Sequence, residues 1–199
     1  MTKTIRYYLV PQSPWTYLGH DRLLEIAARH GATVEPRPMD LGGKVFPVSG
    51  GLPLGKRAPQ RQAYRFVELD RWSRFLGVPL NPKPKFFPVG GEKAAKLIIA
   101  AAQARGNEAA LSLTGALLAA VWRDELDIDD TDTLRRICTG CTLDGDALLA
   151  SVDAATPLYE RYTQDAIDAQ VFGAPWYEYA GEPVWGQDRL DFLDRALAR

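Results

Sequence analysis

The chain has 199 residues, 46% of them hydrophobic, and a formal net charge of -1. That is enough apolar material for one large domain, or for a small domain carrying an insertion. The balanced charge excludes the basic footprint of a nucleic-acid binder and a polybasic membrane anchor, so neither nucleic acid nor membrane is expected as a partner.

The N-terminal segment MTKTIRYYLVPQ has no long apolar core and no small-residue cleavage site, so a cytoplasmic protein is expected. Within it, residues 4–10 (TIRYYLV) are rich in aromatic and β-branched side chains and read as a buried strand. Residues 14–30 read as a helix. Ser13 can cap it, and Pro14 suits its first turn, where the missing N–H would be unpaired anyway. Gly31 stops it. ATVEPRPMDL then alternates and reads as a second strand ending near Leu41. Strand, helix and strand of these lengths make a βαβ unit with parallel strands.

Residues 42–60 change character. They are rich in Gly and Pro, carry Lys44, Lys56 and Arg57, and read as one long functional loop. Arg61 to Leu76 read as a helix, with Gly77 as its stop. A proline-rich interruption follows at 81–91, and then helices at about 92–105, 107–124, 131–137, 144–153 and 156–170. The longest apolar run, Leu97 to Ala102, falls far short of the roughly 20 residues that cross a bilayer. At the end, Trp176–Tyr179 and Pro183–Trp185 read as a hairpin about Ala180-Gly181, and a helix starts at Gln187.

The order is therefore β-α-β, a long helical block, then β-β-α. Neither strand pair has a core of its own, so the two halves should join in one small sheet. This is the plan of an α/β, thioredoxin-like fold with a large all-helical insertion. The thioredoxin-like domain would take residues 1–42 and 171–199, and the insertion residues 43–170.

The only cysteines, Cys138 and Cys141, have C-x-x-C spacing. A redox dithiol belongs at a strand-to-helix turn, where a helix N-terminus stabilises the thiolate. This pair lies instead at the end of a helix. A lone pair also lacks the second pair of ligands a zinc site needs, so no metal is expected.

Three short segments can carry chemistry. Ser13 sits at the first strand-to-helix turn, with only His20 and His30 as histidines, both on the following helix. A Ser-His-Asp triad is therefore disfavoured. Ser13 can be a plain helix cap, or its hydroxyl and the helix N-terminus can together hold an anion such as a ligand thiolate. Gly173-Ala174-Pro175 leads into the third strand. A cis bond there would expose the backbone of Ala174 to an extended peptide, and a trans proline at a strand start is equally compatible. Trp185-Gly186-Gln187-Asp188-Arg189 joins the last strand to the last helix. It can be an ordinary capped helix start, or it can hold the amino-acid end of a γ-glutamyl peptide, with amides for the carboxylate and Asp188 for the ammonium.

These segments, SPWTYL, VFGAP and WGQDRL, in this order, together with the central PQRQAYRFVELDRWSRFLGVPLNPKPKFFP, resemble the 2-hydroxychromene-2-carboxylate isomerases. That family is close to the kappa-class glutathione transferases and shares the thioredoxin-like fold of the disulfide oxidoreductase DsbA. The resemblance spans essentially the whole chain. It implies glutathione as cofactor, an aromatic carboxylate as substrate and a homodimer. It further implies that Ser13 promotes the thiolate of glutathione and that Ala174, before Pro175, pairs with its cysteinyl part. Trp185, Gly186, Gln187 and Asp188 would hold its γ-glutamyl end. Lys44, Lys56 or Arg57 would face the substrate carboxylate. The implied reaction is cis-trans isomerisation through reversible addition of the thiolate, as in naphthalene-type degradation.

The sequence departs from the family pattern at three places. Val10 stands where an aspartate is usual, Ala174 where valine is usual, and Gly55 where relatives often carry asparagine. The alternative within the superfamily is a transferase that conjugates small electrophiles to glutathione. A disulfide oxidoreductase is disfavoured, because Ser13 and Thr16 occupy the places of its two cysteines. A binding module without catalysis would leave Ser13 dispensable.

Overall fold

The computed structural model describes residues 3–199; Met1 and Thr2, the start of the segment read for a leader, lie outside the described residues. Strand β1 (Thr4–Leu9) runs parallel to β2 (Thr33–Pro38), with α1 (Pro14–Arg29) between them. Strands β3 (Trp176–Tyr179) and β4 (Glu182–Trp185) form the hairpin, and β3 pairs antiparallel with β1. The sheet order is β2-β1-β3-β4, so the two halves of the chain meet in one thioredoxin-like sheet. Pro36 and Pro38 are tolerated in β2 because it is an edge strand.

Residues 41–58 are more ordered than a long loop. A wide helical turn at Leu41–Val45 leads to the one-turn helix α2 (Phe46–Ser49), and a tight turn at Leu54–Lys56 precedes α3 (Pro59–Leu76). The reasons are local. The Asp40 carboxylate accepts the Gly43 N–H at 2.7 Å, the Val45 side chain is wholly buried, and Gly50 ends α2 with φ of 76°. The remaining helices are α4 (Glu92–Arg105), α5 (Asn107–Trp122), α6 (Thr131–Gly140), α7 (Gly145–Ala150), α8 (Thr156–Asp168) and α9 (Leu190–Leu197). Gln187 and Asp188 lie in a tight turn just before α9 rather than in its first α-helical turn.

Alternation along β1 separates two cores. Ile5, Tyr7 and Leu9 pack with Leu23 of α1, Ile98 of α4, Leu117 of α5 and Leu193 of α9. Tyr8 and Val10 face the other way, with Met39, Val45, Ala166 and Trp176. Each such side chain withdrawn from water contributes about 1.5–3 kcal/mol, so α4 and α5 are fastened to the sheet by the same burial that holds α1 and α9. Among the described residues no helix is long and apolar enough to cross a membrane.

Both histidines have structural partners. His20 is buried, with Nε2 at 3.1 Å from the Leu111 carbonyl and Nδ1 at 3.4 Å from the Tyr7 hydroxyl. A carbonyl only accepts, so Nε2 carries the proton and Nδ1 accepts. Burial pushes the His20 pKa down, which keeps the ring neutral. His30 meets Asp194 at 2.6 Å.

Candidate functional site

The turn after β1 positions Ser13. Its N–H donates to the Val10 carbonyl at 3.1 Å, and its Oγ accepts the Thr16 N–H at 3.2 Å, the geometry of a helix cap. Ser13 is buried, yet its own hydroxyl proton has no acceptor among the described residues. The first turn of α1 carries no acidic residue. The positive end of that helix therefore faces the site with no carboxylate of its own first turn beside it. No histidine reaches Ser13, as the partners of His20 and His30 show.

Two cavities meet beside this turn. The first, of about 380 Å³, is lined by Ser13, Met39, Phe46, Leu54 and Phe87 among others. The second, of about 560 Å³, lies between α3 and the β4–α9 connection, and Ala174, Trp185, Gly186, Gln187 and Asp188 line it. Trp15, Arg57 and Arg65 belong to both walls.

The far wall of the second cavity is tightly built. The Ala174-Pro175 bond is cis, and the Gly186 N–H donates to the Pro175 carbonyl at 3.0 Å. The indole of Trp185 lies so close over Gly173 that a Cβ there would come within 2.5 Å of Nε1. Gly186 holds φ of 93°, and a Cβ on it would lie 2.5 Å from the Asp188 carboxylate. Only glycine suits both conditions. Asp188 pairs with Arg189, whose guanidinium also lies over the Trp185 ring. Gln187 is buried, its backbone carbonyl and side-chain oxygen both accepting from Arg22 Nη1.

Of the three basic residues expected at the substrate, the structure brings only Arg57 to the cavities. Lys44 is exposed, reaches Glu160 at 3.8 Å, and lines neither wall. Lys56 is exposed and also lines neither. The residue that sequence reasoning missed is Arg65, a buried cation on α3. Its signal was the spacing of Arg57, Arg61 and Arg65, four residues apart. Trp15 was in the quoted motif without an assigned role and supplies wall to both cavities.

Cys138 and Cys141 are both free. Burial pushes the Cys138 thiol up to about 11, and burial raises Cys141 as well. A reactive dithiol needs the opposite shift. At pH 7 the thiolate of Cys138 would be on the order of one part in 10,000. Thiol reagents should therefore label the native protein slowly and the denatured protein fast, and replacing both cysteines by alanine should leave turnover unchanged.

Comparison with known proteins agrees with this architecture. The family model of the DSBA-like thioredoxin domain matches residues 4–198. A 2-hydroxychromene-2-carboxylate isomerase of Sphingobium xenophagum is 31% identical over 199 residues, covering 99% of each chain. One from Pseudomonas putida is 26% identical over 98% of this chain and 94% of its own. A solved 2-hydroxychromene-2-carboxylate isomerase superposes with a TM-score of 0.82 at 25% identity, covering 98% of this chain and 95% of the other. The chain thus belongs to the DSBA-like thioredoxin family and, within it, to the 2-hydroxychromene-2-carboxylate isomerases, a family of isomerase enzymes.

Proposed function

We propose that this protein is a glutathione-dependent isomerase. Its substrate would be 2-hydroxychromene-2-carboxylate or a similar aromatic hemiketal or 2-oxo acid, and its product the trans-o-hydroxybenzylidenepyruvate type of isomer. One observation carries the reading: a buried hydroxyl with a proton to donate stands at a helix N-terminus on the wall of the first cavity, which shares Trp15, Arg57 and Arg65 with the second.

The second cavity fits glutathione. Its volume lies within the roughly 300–1,000 Å³ of small-molecule sites. Its walls offer the Asp188 and Glu68 carboxylates for an ammonium, and the Arg61 and Arg189 guanidinium groups for carboxylates. That donor set matches a tripeptide with two carboxylates and one ammonium. Ala174 offers backbone groups beside it, of the kind an extended peptide pairs with.

The chemistry glutathione supplies when bound is a thiol that adds reversibly to an electron-poor carbon. Ser13 would donate its free hydroxyl proton to the sulfur and so favour the thiolate, with the N-terminus of α1 adding to that field. Trp15, Phe46, Leu54 and Phe87 would hold an aryl group and exclude water. Arg57 and Arg65 place positive charge where an enolate would develop.

The test is turnover with sub-stoichiometric glutathione. Many equivalents of 2-hydroxychromene-2-carboxylate should isomerise while free thiol stays constant. One-for-one loss of thiol would replace the isomerase with a kappa-class-like glutathione transferase. Turnover that ignores glutathione would remove the cofactor from the reading.

A further inference from the structure

Arg37 and Lys96 are largely withdrawn from water and have partners, whereas Arg65 has none among the described residues. Arg37, with its side chain 13% exposed, reaches Glu35 and Asp165, each at 3.0 Å. Lys96, 12% exposed, is held by Glu92 at 2.6 Å. Arg65 is 8% exposed, and among the described residues it makes neither an ion pair nor a hydrogen bond. Its guanidinium lies over the rings of Phe66, Phe87 and Trp122, 5.3–5.8 Å from their centroids. Ring faces recover only part of what a buried cation loses on leaving water.

The neighbouring charges make matters worse. Arg57 stands close enough to add to the burial that pushes Arg65 down to about 10, and Arg61 does the same to Arg57. Arg65 remains charged at neutral pH. Arg57 Nε donates to the Leu52 carbonyl, and no carboxylate pairs with Arg57 or Arg61 among the described residues. Two carboxylates do line the Ser13 cavity, and both are engaged. Asp40 accepts the Gly43 N–H, and Glu92 pairs with Lys96. On the second wall Glu68 pairs with Arg71 and Asp188 with Arg189, so the seam between the cavities holds aromatic walls and guanidinium groups to which no carboxylate of the described residues is paired.

We propose that Arg65, assisted by Arg57, seats the carboxylate of the substrate, and that this guanidinium selects planar aryl 2-oxo acids by supplying the ion pair that the fold withholds. The choice of an aryl acid rests on the function proposed above. The selecting cation is thus Arg65 rather than Lys44 or Lys56, both of which lie outside the cavity walls. A second consequence follows. A cation kept for a ligand destabilises the ligand-free protein, so an apolar replacement should stabilise it.

The test compares binding of trans-benzylidenepyruvate, its methyl ester and glutathione, each alone, by calorimetry. Wild type should bind the acid at least about tenfold more tightly than the ester, the scale of one charge-assisted pair. Arg65→Met, which keeps the stem over the rings, should bind acid and ester alike, with glutathione affinity changed less than about twofold. Its ligand-free Tm should rise by about 2–4 °C. Arg65→Lys should keep part of the discrimination. Wild type that fails to distinguish acid from ester overturns the proposal, whatever the variants do. So does Arg65→Met that still distinguishes them, or that unfolds at a lower temperature than wild type. If Arg65→Met weakens glutathione instead, the guanidinium belongs to a carboxylate of the tripeptide. Arg65-dependent acid binding without isomerisation would sink the proposed reaction alone. Normal glutathione-dependent turnover by Arg65→Met would sink the carboxylate seat alone.

Discussion

Ser13→Ala is expected to lower turnover near neutral pH by about ten- to a hundredfold, with glutathione affinity changed less than about threefold. The estimate follows from the bond removed. A hydrogen bond to a charged partner contributes about 1.5–3 kcal/mol, against about 1 kcal/mol for a neutral one. The neutral thiol would lose little and the thiolate much, so the loss appears in rate rather than in binding. The sign with pH is fixed by the same argument. Removing the hydroxyl raises the pKa of the bound thiol, so the acidic limb of the rate profile should move upward, and raising the pH should restore activity. Ser13→Thr keeps a hydroxyl and should keep most of the rate. The cap is a separate matter. Losing the Oγ that accepts the Thr16 N–H costs about 1 kcal/mol of stability, readable as a Tm lower by about 2–4 °C. A purely structural Ser13 would give that Tm change with no shift in the pH profile.

How much of this was legible in the sequence depends on how local the cause is. The cap at Ser13, the stop at Gly31 and the aromatic and β-branched run of β1 are set by neighbours along the chain, and β1, α1, β3 and β4 stand within a residue of where they were placed, while β2 ends at Pro38 instead of near Leu41. The joining of the two strand pairs followed because neither could bury itself. Residues 41–58 were harder, since the turns there depend on Asp40 reaching Gly43 and on Val45 finding a pocket beneath α8. Lys44 and Lys56 sat in the right segment and point elsewhere, which composition cannot reveal. Arg65 is the clearest case. Its helix is polar overall and gives little periodic signal, and its burial is made by Phe87 and Trp122, which arrive from distant segments. What a pattern of residues does not carry is the meeting of two walls.

Gly19 decides how those walls meet, and Gly19→Ala is the second experiment with a large expected effect. In the middle of α1 a glycine reads as a weakness, and helix propensity alone predicts that alanine would stabilise by about 1 kcal/mol. Packing predicts the reverse. A Cβ on Gly19 would lie 2.7 Å from the Gln187 Cβ and 2.9 Å from the Tyr177 hydroxyl oxygen. Neither neighbour can swing aside. The Gln187 Cβ is one bond from the backbone, and Arg22 ties that residue at two points. Tyr177 is wholly buried in β3. Overpacking of this kind costs about 1–3 kcal/mol, which matches or exceeds the gain in propensity. Relief must come from the turn that carries Gln187, and with it Trp185 and Asp188 on the wall of the second cavity. The expected result is a Tm lowered by a few degrees, up to about 8 °C. KM for glutathione should rise about three- to tenfold, with kcat changed less, because Ser13 caps α1 ahead of Gly19, touches neither Gln187 nor Tyr177, and keeps its bond from the Thr16 N–H. A higher Tm with unaltered KM would mean that this turn takes its position from β4 and not from α1.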